Sequence, residues 1–153
     1  MPWLDSVQTS ALAQAIGNSR WATAVLSSLH LVGFTLLMGS TLISNLRLLG
    51  AVLPDRPIDE VTRPAARAAW IALAISAATG SLLFVPRASG AVANPTFQLK
   101  MLLLATAVGV QALALPRVAH SPLQPAAARV TGAAGLVLWL GLALAGCAFI
   151  LFE

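Results

Sequence analysis

Hydrophobic positions gather into four long stretches of the chain, and polar or proline-rich segments separate them. The stretches cover 21–44, 68–85, 99–115 and 130–152. Each approaches the roughly 20 apolar residues that a helix needs to cross the hydrocarbon core of a bilayer. The third is the shortest and has Lys100 at its start, where a long side chain could carry its amine to the interface. The pattern predicts an all-α, integral membrane four-helix bundle in a single domain, residues 1–153.

A shorter amphipathic segment precedes the first stretch. Across 2–16, apolar residues recur roughly at helical spacing, and polar residues fall largely on the other positions. This pattern favours a short interfacial helix that lies on the membrane surface, with Trp3 at headgroup level. Ser19 is the predicted N-cap of the first spanning helix, and Asn94 followed by Pro95 predicts the start of the third.

The low share of charged residues supports the membrane assignment. Of the 153 residues, 58% are hydrophobic and 9% are charged, whereas soluble domains carry roughly 25% charged residues. The net charge of +4 comes without a basic run or a nucleic-acid-reading motif, so we expect contact with membrane lipids and exclude nucleic acid binding. Cys147 is the only cysteine, which excludes an intrachain disulfide and a cysteine metal cluster.

Basic residues are distributed unevenly between the two sides of the predicted bundle. Six of the nine Lys/Arg residues flank the first and third loops, and three lie on the other side. The six are Arg47, Arg56, Arg63, Arg67, Arg117 and Arg129. Because cytoplasmic loops carry the excess of Lys and Arg, this distribution predicts that both termini are periplasmic.

Several short motifs along the chain resemble those of one family of membrane proteins. They are His-Leu-Val-Gly at 30–33, Asn-Leu-Arg-Leu-Leu-Gly at 45–50, Thr-Gly-Ser-Leu-Leu-Phe at 79–84 and Asn-Pro-Thr-Phe-Gln-Leu-Lys at 94–100. The series resembles a family of small bacterial four-span membrane proteins that is classified as a domain of unknown function. The resemblance covers nearly the whole chain. It implies a multi-pass protein of the bacterial inner membrane, and it implies no activity.

His30 lies near the middle of the first stretch, which contains no charged residue. An ionisable side chain at this depth is a functional candidate, because leaving it unpaired there is costly. His30 falls about 14 Å below the periplasmic boundary, and Ser76 and Gln111 fall at about 15 and 16 Å on two other helices. We therefore expect His30 to meet Ser76 and Gln111 inside the bundle, or a second His30 in a homo-oligomer.

Three hypotheses follow for His30. In the first, a neutral His30 bonds to Ser76, Gln111 or a backbone carbonyl and is a polar node in a structural or accessory membrane subunit. In the second, His30 is the iron ligand of haem b in a haem- or quinone-linked electron-transfer anchor. In the third, His30 titrates in a passage for a proton or small solute, which would need a second buried ionisable group.

Depth constrains the haem hypothesis. The other histidine, His120, is predicted beyond the opposite membrane face, and the distance from His30 to Ser44 alone is about 21 Å along the helix. One chain therefore cannot hold one haem between its two histidines. Three arrangements remain for a haem: five-coordinate iron, a methionine as the second ligand, or two His30 side chains from different chains of an oligomer. Met38 and Met101 are poorly placed to be that methionine.

Lys100 is a second candidate for ligand contact. It could bind a lipid phosphate, a haem propionate or a carboxylate of a partner subunit, or it could simply extend to the interface. The four stretches contain no carboxylate, and the sequence shows no hydrolytic triad, phosphate loop or His-Glu-His metal spacing. We therefore do not expect an independent enzyme, and the sequence assigns no substrate.

Overall fold

Helices alone build the described part of the chain, whose structure is a computed structural model. The structure describes the backbone of residues 2–119 and 125–151 and the side chains of 3–117 and 125–147. The helices are α1 (Pro2–Gln8), α2 (Ala11–Gly17), α3 (Arg20–Leu49), α4 (Ile58–Phe84), α5 (Ala88–Ala93), α6 (Pro95–Gly109), α7 (Leu115–Ala119) and α8 (Pro125–Leu151). A 3₁₀ turn, Val85–Arg87, joins α4 to α5, and a π-helical turn, Val110–Ala114, joins α6 to α7.

Four helical stretches are long and apolar enough to cross a membrane. They are Arg20–Leu49, Ile58–Ala93, Pro95–Arg117 and Pro125–Cys147. Each corresponds to one apolar stretch of the sequence and extends beyond it by a few residues on at least one side. The predicted all-α membrane four-helix bundle is therefore confirmed.

Helix α3 lies between two neighbours and sets the order of the bundle. It packs on α4 and on α8, and α6 packs on the other side of α8. Along α3, His30 meets Gly80 of α4 and Gly33 meets Ser76, so α3 and α4 are antiparallel. Further along, Asn45 meets Gly135 of α8 and Leu48 meets Gly132, so α3 and α8 are antiparallel as well. The described long helices thus follow the order α4–α3–α8–α6, and Phe84 of α4 stacks on Phe97 of α6 with ring centroids 5.6 Å apart.

The main apolar core lies at mid-height in the bundle, and all four long helices contribute to it. Its buried members are Leu37, Ala69, Ala72, Ala107, Trp139 and Leu142. Alanines on α4 and α6 face large side chains on α3 and α8, so the helices approach closely around Trp139. Only 3% of Trp139 is exposed, which makes this residue a packing element of the core.

The N-terminal segment forms two helices where the sequence predicts one. Ser10 lies between them, and its hydroxyl accepts a hydrogen bond from the Ala13 amide at 3.2 Å, which starts α2. Leu4 and Ile16 are buried, because α1 packs on α5 and α2 packs on the 3₁₀ turn. These apolar positions therefore cover the connection between α4 and α6, whereas Trp3 stays exposed. We call this side, where α3 begins, the N-terminal end of the bundle.

Arg47 organises the opposite end of the bundle. Helix α3 stops at Leu49, and Gly50 adopts the left-handed φ of 79° that glycine tolerates best. Arg47 is buried, and its guanidinium donates to the carbonyl oxygens of Pro54, at 3.3 Å, and of Arg56. The connection between α3 and α4 is thereby tied to the last turn of α3.

Candidate functional site around His30

His30 is held against α4 by its Nδ1 atom. Ser19 starts α3, since its hydroxyl accepts a hydrogen bond from the Ala22 amide at 3.2 Å, as predicted. Three turns later, Nδ1 of His30 lies 3.0 Å from the carbonyl oxygen of Ser76 and 3.1 Å from Oγ1 of Thr79. The partner of His30 on α4 is therefore a backbone carbonyl and a neighbouring hydroxyl.

These contacts assign the proton on the ring. A carbonyl oxygen can only accept, so Nδ1 of His30 donates to Ser76. The Thr79 hydroxyl donates its own hydrogen to the Ile75 carbonyl at 2.7 Å, so its oxygen is free to accept from the same Nδ1. In a neutral ring, the other nitrogen, Nε2, then carries a lone pair and no hydrogen.

Two glycines allow α3 and α4 to approach at this level. A Cβ added to Gly80 would lie 3.0 Å from Cε1 of His30 and 3.3 Å from Nδ1. A Cβ added to Gly33 would lie 2.8 Å from Oγ of Ser76. Because side-chain carbons do not normally approach that closely, the missing side chains are required for the ring to reach the Ser76 carbonyl.

The Ser76 hydroxyl does not take part in the contact. Its Oγ is buried and has no hydrogen-bond partner among the described residues. Serine in a membrane helix commonly bonds to a carbonyl of its own helix or to a neighbouring helix. Ser76 therefore contributes its backbone to the His30 contact and leaves a buried hydroxyl beside Gly33.

Gln111 lies away from His30. It is 7% exposed and stands in the π-helical turn, where it lines a space of about 10 Å³ together with Leu37, Ala69 and Trp139. Since Leu37 is seven residues beyond His30 on α3, this level is about 10 Å further along the bundle. The structure thus brings Ser76 to His30 and places Gln111 in the apolar core, with its Nε2 unpaired among the described residues.

Lys100 lies in the second turn of α6, and its ammonium group reaches α8. Asn94 caps α6 as predicted, since its Oδ1 accepts from the Thr96 amide at 2.8 Å. Nζ of Lys100 lies 3.9 Å from the position that a Cβ would occupy on Gly146.

Two residues of the site were not among the predicted partners of His30. Thr79 and Gly80 receive the imidazole, and their signal in the sequence is their position three and four residues after Ser76. Residues at this spacing share a helix face. A polar side chain and a glycine on the same face of α4 as Ser76 could therefore have indicated where α4 contacts the His30 imidazole.

The surroundings of His30 bear on the kind of chemistry it can support. Among the described residues, there is no group of three His, Cys, Asp or Glu side chains that could hold a metal ion. Two spaces in the described bundle, of about 10 and 250 Å³, are lined by other residues. His120 lies outside the described residues. What the structure does show at His30 is a contact between helices, through Nδ1 to the Ser76 carbonyl and the Thr79 hydroxyl.

Comparison with known proteins places the chain in a family. No curated protein and no solved structure matches it. A family model described as Family of unknown function (DUF6644) matches residues 4–152. This range includes His30, the α4 residues that hold it, and Lys100. Because the match extends over nearly the whole sequence, the chain belongs to the DUF6644 family of unknown function.

Proposed function

We propose that this chain is a structural or accessory subunit of the bacterial inner membrane, in which His30 is a polar node that fixes α4 against α3. The observation that carries this proposal is the 3.0 Å contact between Nδ1 of His30 and the Ser76 carbonyl. That carbonyl belongs to the backbone, so the contact orients the whole helix and not one flexible side chain.

The hydrogen bond between His30 and the Ser76 carbonyl joins two helices inside the predicted membrane span. Hydrogen bonds between membrane helices average about 0.6 kcal/mol and reach about 1.7 kcal/mol. The close approach at Gly33 and Gly80 adds packing on both sides of the ring. A hydrogen bond of this size favours the observed register between α3 and α4 by about 3- to 18-fold, because sliding by one residue would remove the ring from its acceptors.

Thermal unfolding of the full chain in detergent tests the node. His30→Ala and Gly80→Ala should each lower the unfolding temperature, since the first removes the imidazole and the second displaces it. Ser28→Ala is the matched control, because Ser28 is exposed on α3 and its hydroxyl bonds only to the Ala24 carbonyl of its own helix, at 2.9 Å. Equal stability of His30→Ala and Ser28→Ala would overturn the role of His30.

The accessory role has its own test. When extracted from its native membrane in mild detergent, the chain should elute as part of an assembly larger than its own mass of 15.8 kDa in a detergent micelle. Elution as a lone chain under conditions that preserve known membrane complexes would contradict the proposal. This outcome is independent of the stability of the His30 variants.

Haem ligation is the second candidate, and one feature favours it. Histidines that ligate metals almost always donate their other ring N–H to a carbonyl or carboxylate, which is how Nδ1 of His30 is engaged. An absorbance spectrum of the purified, reduced chain separates the two candidates. We expect no Soret band, and a Soret and α-band that disappear in His30→Ala would replace the structural role with haem binding.

A further inference from the structure

Lys100 is the only lysine in the chain, and it lies within a helix that is long and apolar enough to span a membrane. It is only partly exposed. Its ammonium end lies beside α8, since Nζ is 3.9 Å from the position that a Cβ would occupy on Gly146, which is an ordinary van der Waals distance. The cation therefore lies along the groove between α6 and α8.

No carboxylate of the described chain neutralises this charge. The described ion pairs are Arg56–Glu60 and Arg63–Asp59, both at the opposite end of the bundle. Asp5 is at the N-terminal end but is exposed on α1. Neither α6 nor the described part of α8 carries an Asp or Glu residue that could pair with Lys100. A cation in an apolar setting is costly without an anion.

The position of Lys100 limits the source of that anion. It is five residues from Pro95, the first residue of α6, which corresponds to about 7.5 Å along the helix. This depth is within reach of the headgroup region for a long side chain. Leu99, Met101 and Cys147 around it are exposed on the bundle surface, so the groove opens toward lipid and not toward the core.

We infer that Lys100 and the groove at Gly146 form a binding site for the phosphate group of an anionic lipid at the N-terminal end of the bundle. The ammonium supplies the charge, and the surface of α8 at Gly146 forms the other side of the groove. The lipid acyl chains would lie against the exposed apolar residues of α6 and α8.

Native mass spectrometry of the full chain in detergent tests this site with defined lipids. Phosphatidylglycerol should form a one-to-one adduct at least tenfold more readily than phosphatidylcholine, which carries no net charge. Lys100→Met should abolish this preference, and Lys100→Arg should retain it. Arg20→Gln is the control, because it removes one positive charge from an exposed residue at the same end of the bundle.

Other results of this experiment would contradict a phosphate site at Lys100. Equal adducts for the two lipids, or an unchanged preference in Lys100→Met, would overturn the site. Loss of preference in Arg20→Gln to the same extent would attribute it to general charge and not to Lys100. Competition by oleate but not by phosphatidylglycerol would show a carboxylate ligand and refute the phosphate assignment. A thermal unfolding curve for Lys100→Met establishes that the variant is folded.

Discussion

Gly135→Ala would place a methyl group inside the closest described contact between α3 and α8. The new Cβ would lie 2.6 Å from Cγ of Asn45 and 2.9 Å from its Nδ2. Asn45 is 1% exposed, and its Nδ2 donates to the Thr41 carbonyl at 2.8 Å. The amide therefore has no free space to enter, and either its hydrogen bond breaks or α8 moves away from α3.

The expected loss in unfolding free energy follows from these two effects. Overpacking of a tight contact costs about 1–3 kcal/mol, and a buried amide that loses its partner costs about 1–3 kcal/mol. Because either change relieves the clash, we expect Gly135→Ala to destabilise the bundle by about 1–3 kcal/mol. Reversible unfolding in mixed micelles, followed by far-UV circular dichroism, would measure this difference.

Gly141→Ala provides the matched control on the same helix. There the new Cβ would lie 3.8 Å from the nearest atom, Cδ1 of Leu103, which is an ordinary van der Waals distance. We expect a change of less than about 1 kcal/mol, because alanine also favours the helix by up to about 1 kcal/mol over glycine. Similar losses for Gly135→Ala and Gly141→Ala would refute the steric reasoning and indicate a general requirement for glycine in α8.

Three further predictions concern single contacts. Asn94→Ala should lower stability by about 1 kcal/mol through loss of the α6 N-cap, and Asn94→Ser should restore most of it in the same unfolding assay. Arg47→Ala should leave the helices folded but increase proteolysis and amide hydrogen exchange in 50–57, since the loop loses its two carbonyl contacts; unchanged exchange would contradict the clamp. Gln111→Leu should be neutral or stabilising, because it replaces a buried amide whose Nε2 is unpaired among the described residues, and a loss above about 1 kcal/mol would show that the amide has a partner.

The sequence was sufficient to predict the membrane bundle but not the neighbours of each polar residue. The bilayer requires stretches of about 20 apolar residues, so the spans could be predicted from composition and length. The N-caps at Ser19 and Asn94 depend only on neighbouring residues, so they could be predicted as well. Contacts between helices depend on rotation and register, which depth alone does not determine. Gln111 was therefore expected near His30 but lies among Leu37, Ala69 and Trp139.

The acceptor of His30 shows the same limit in another way. Every residue of α4 has a carbonyl, and in a regular helix each one is already bonded four residues ahead. Side-chain chemistry therefore cannot indicate which carbonyl also accepts from a neighbouring helix. Glycines at 33 and 80 mark the place, but only after the two helices are known to face each other at that level.

The π-helical turn at Val110–Ala114 keeps three residues of the third span on the buried face of the bundle. Ala107, Gln111 and Leu115 are all buried and are spaced by four residues. In a regular α-helix, each step of four residues rotates a side chain by about 40°, so Leu115 would lie about 80° away from Ala107. The wider π turn removes much of this drift, since it takes up more residues in one turn. The turn thus accommodates one extra residue in the helix. A variant that lacks one residue of the turn would have Leu115 seven positions after Ala107, within about 20° of the same direction in a regular α-helix, and would keep the contacts of Leu115 with Leu48 and Ala128.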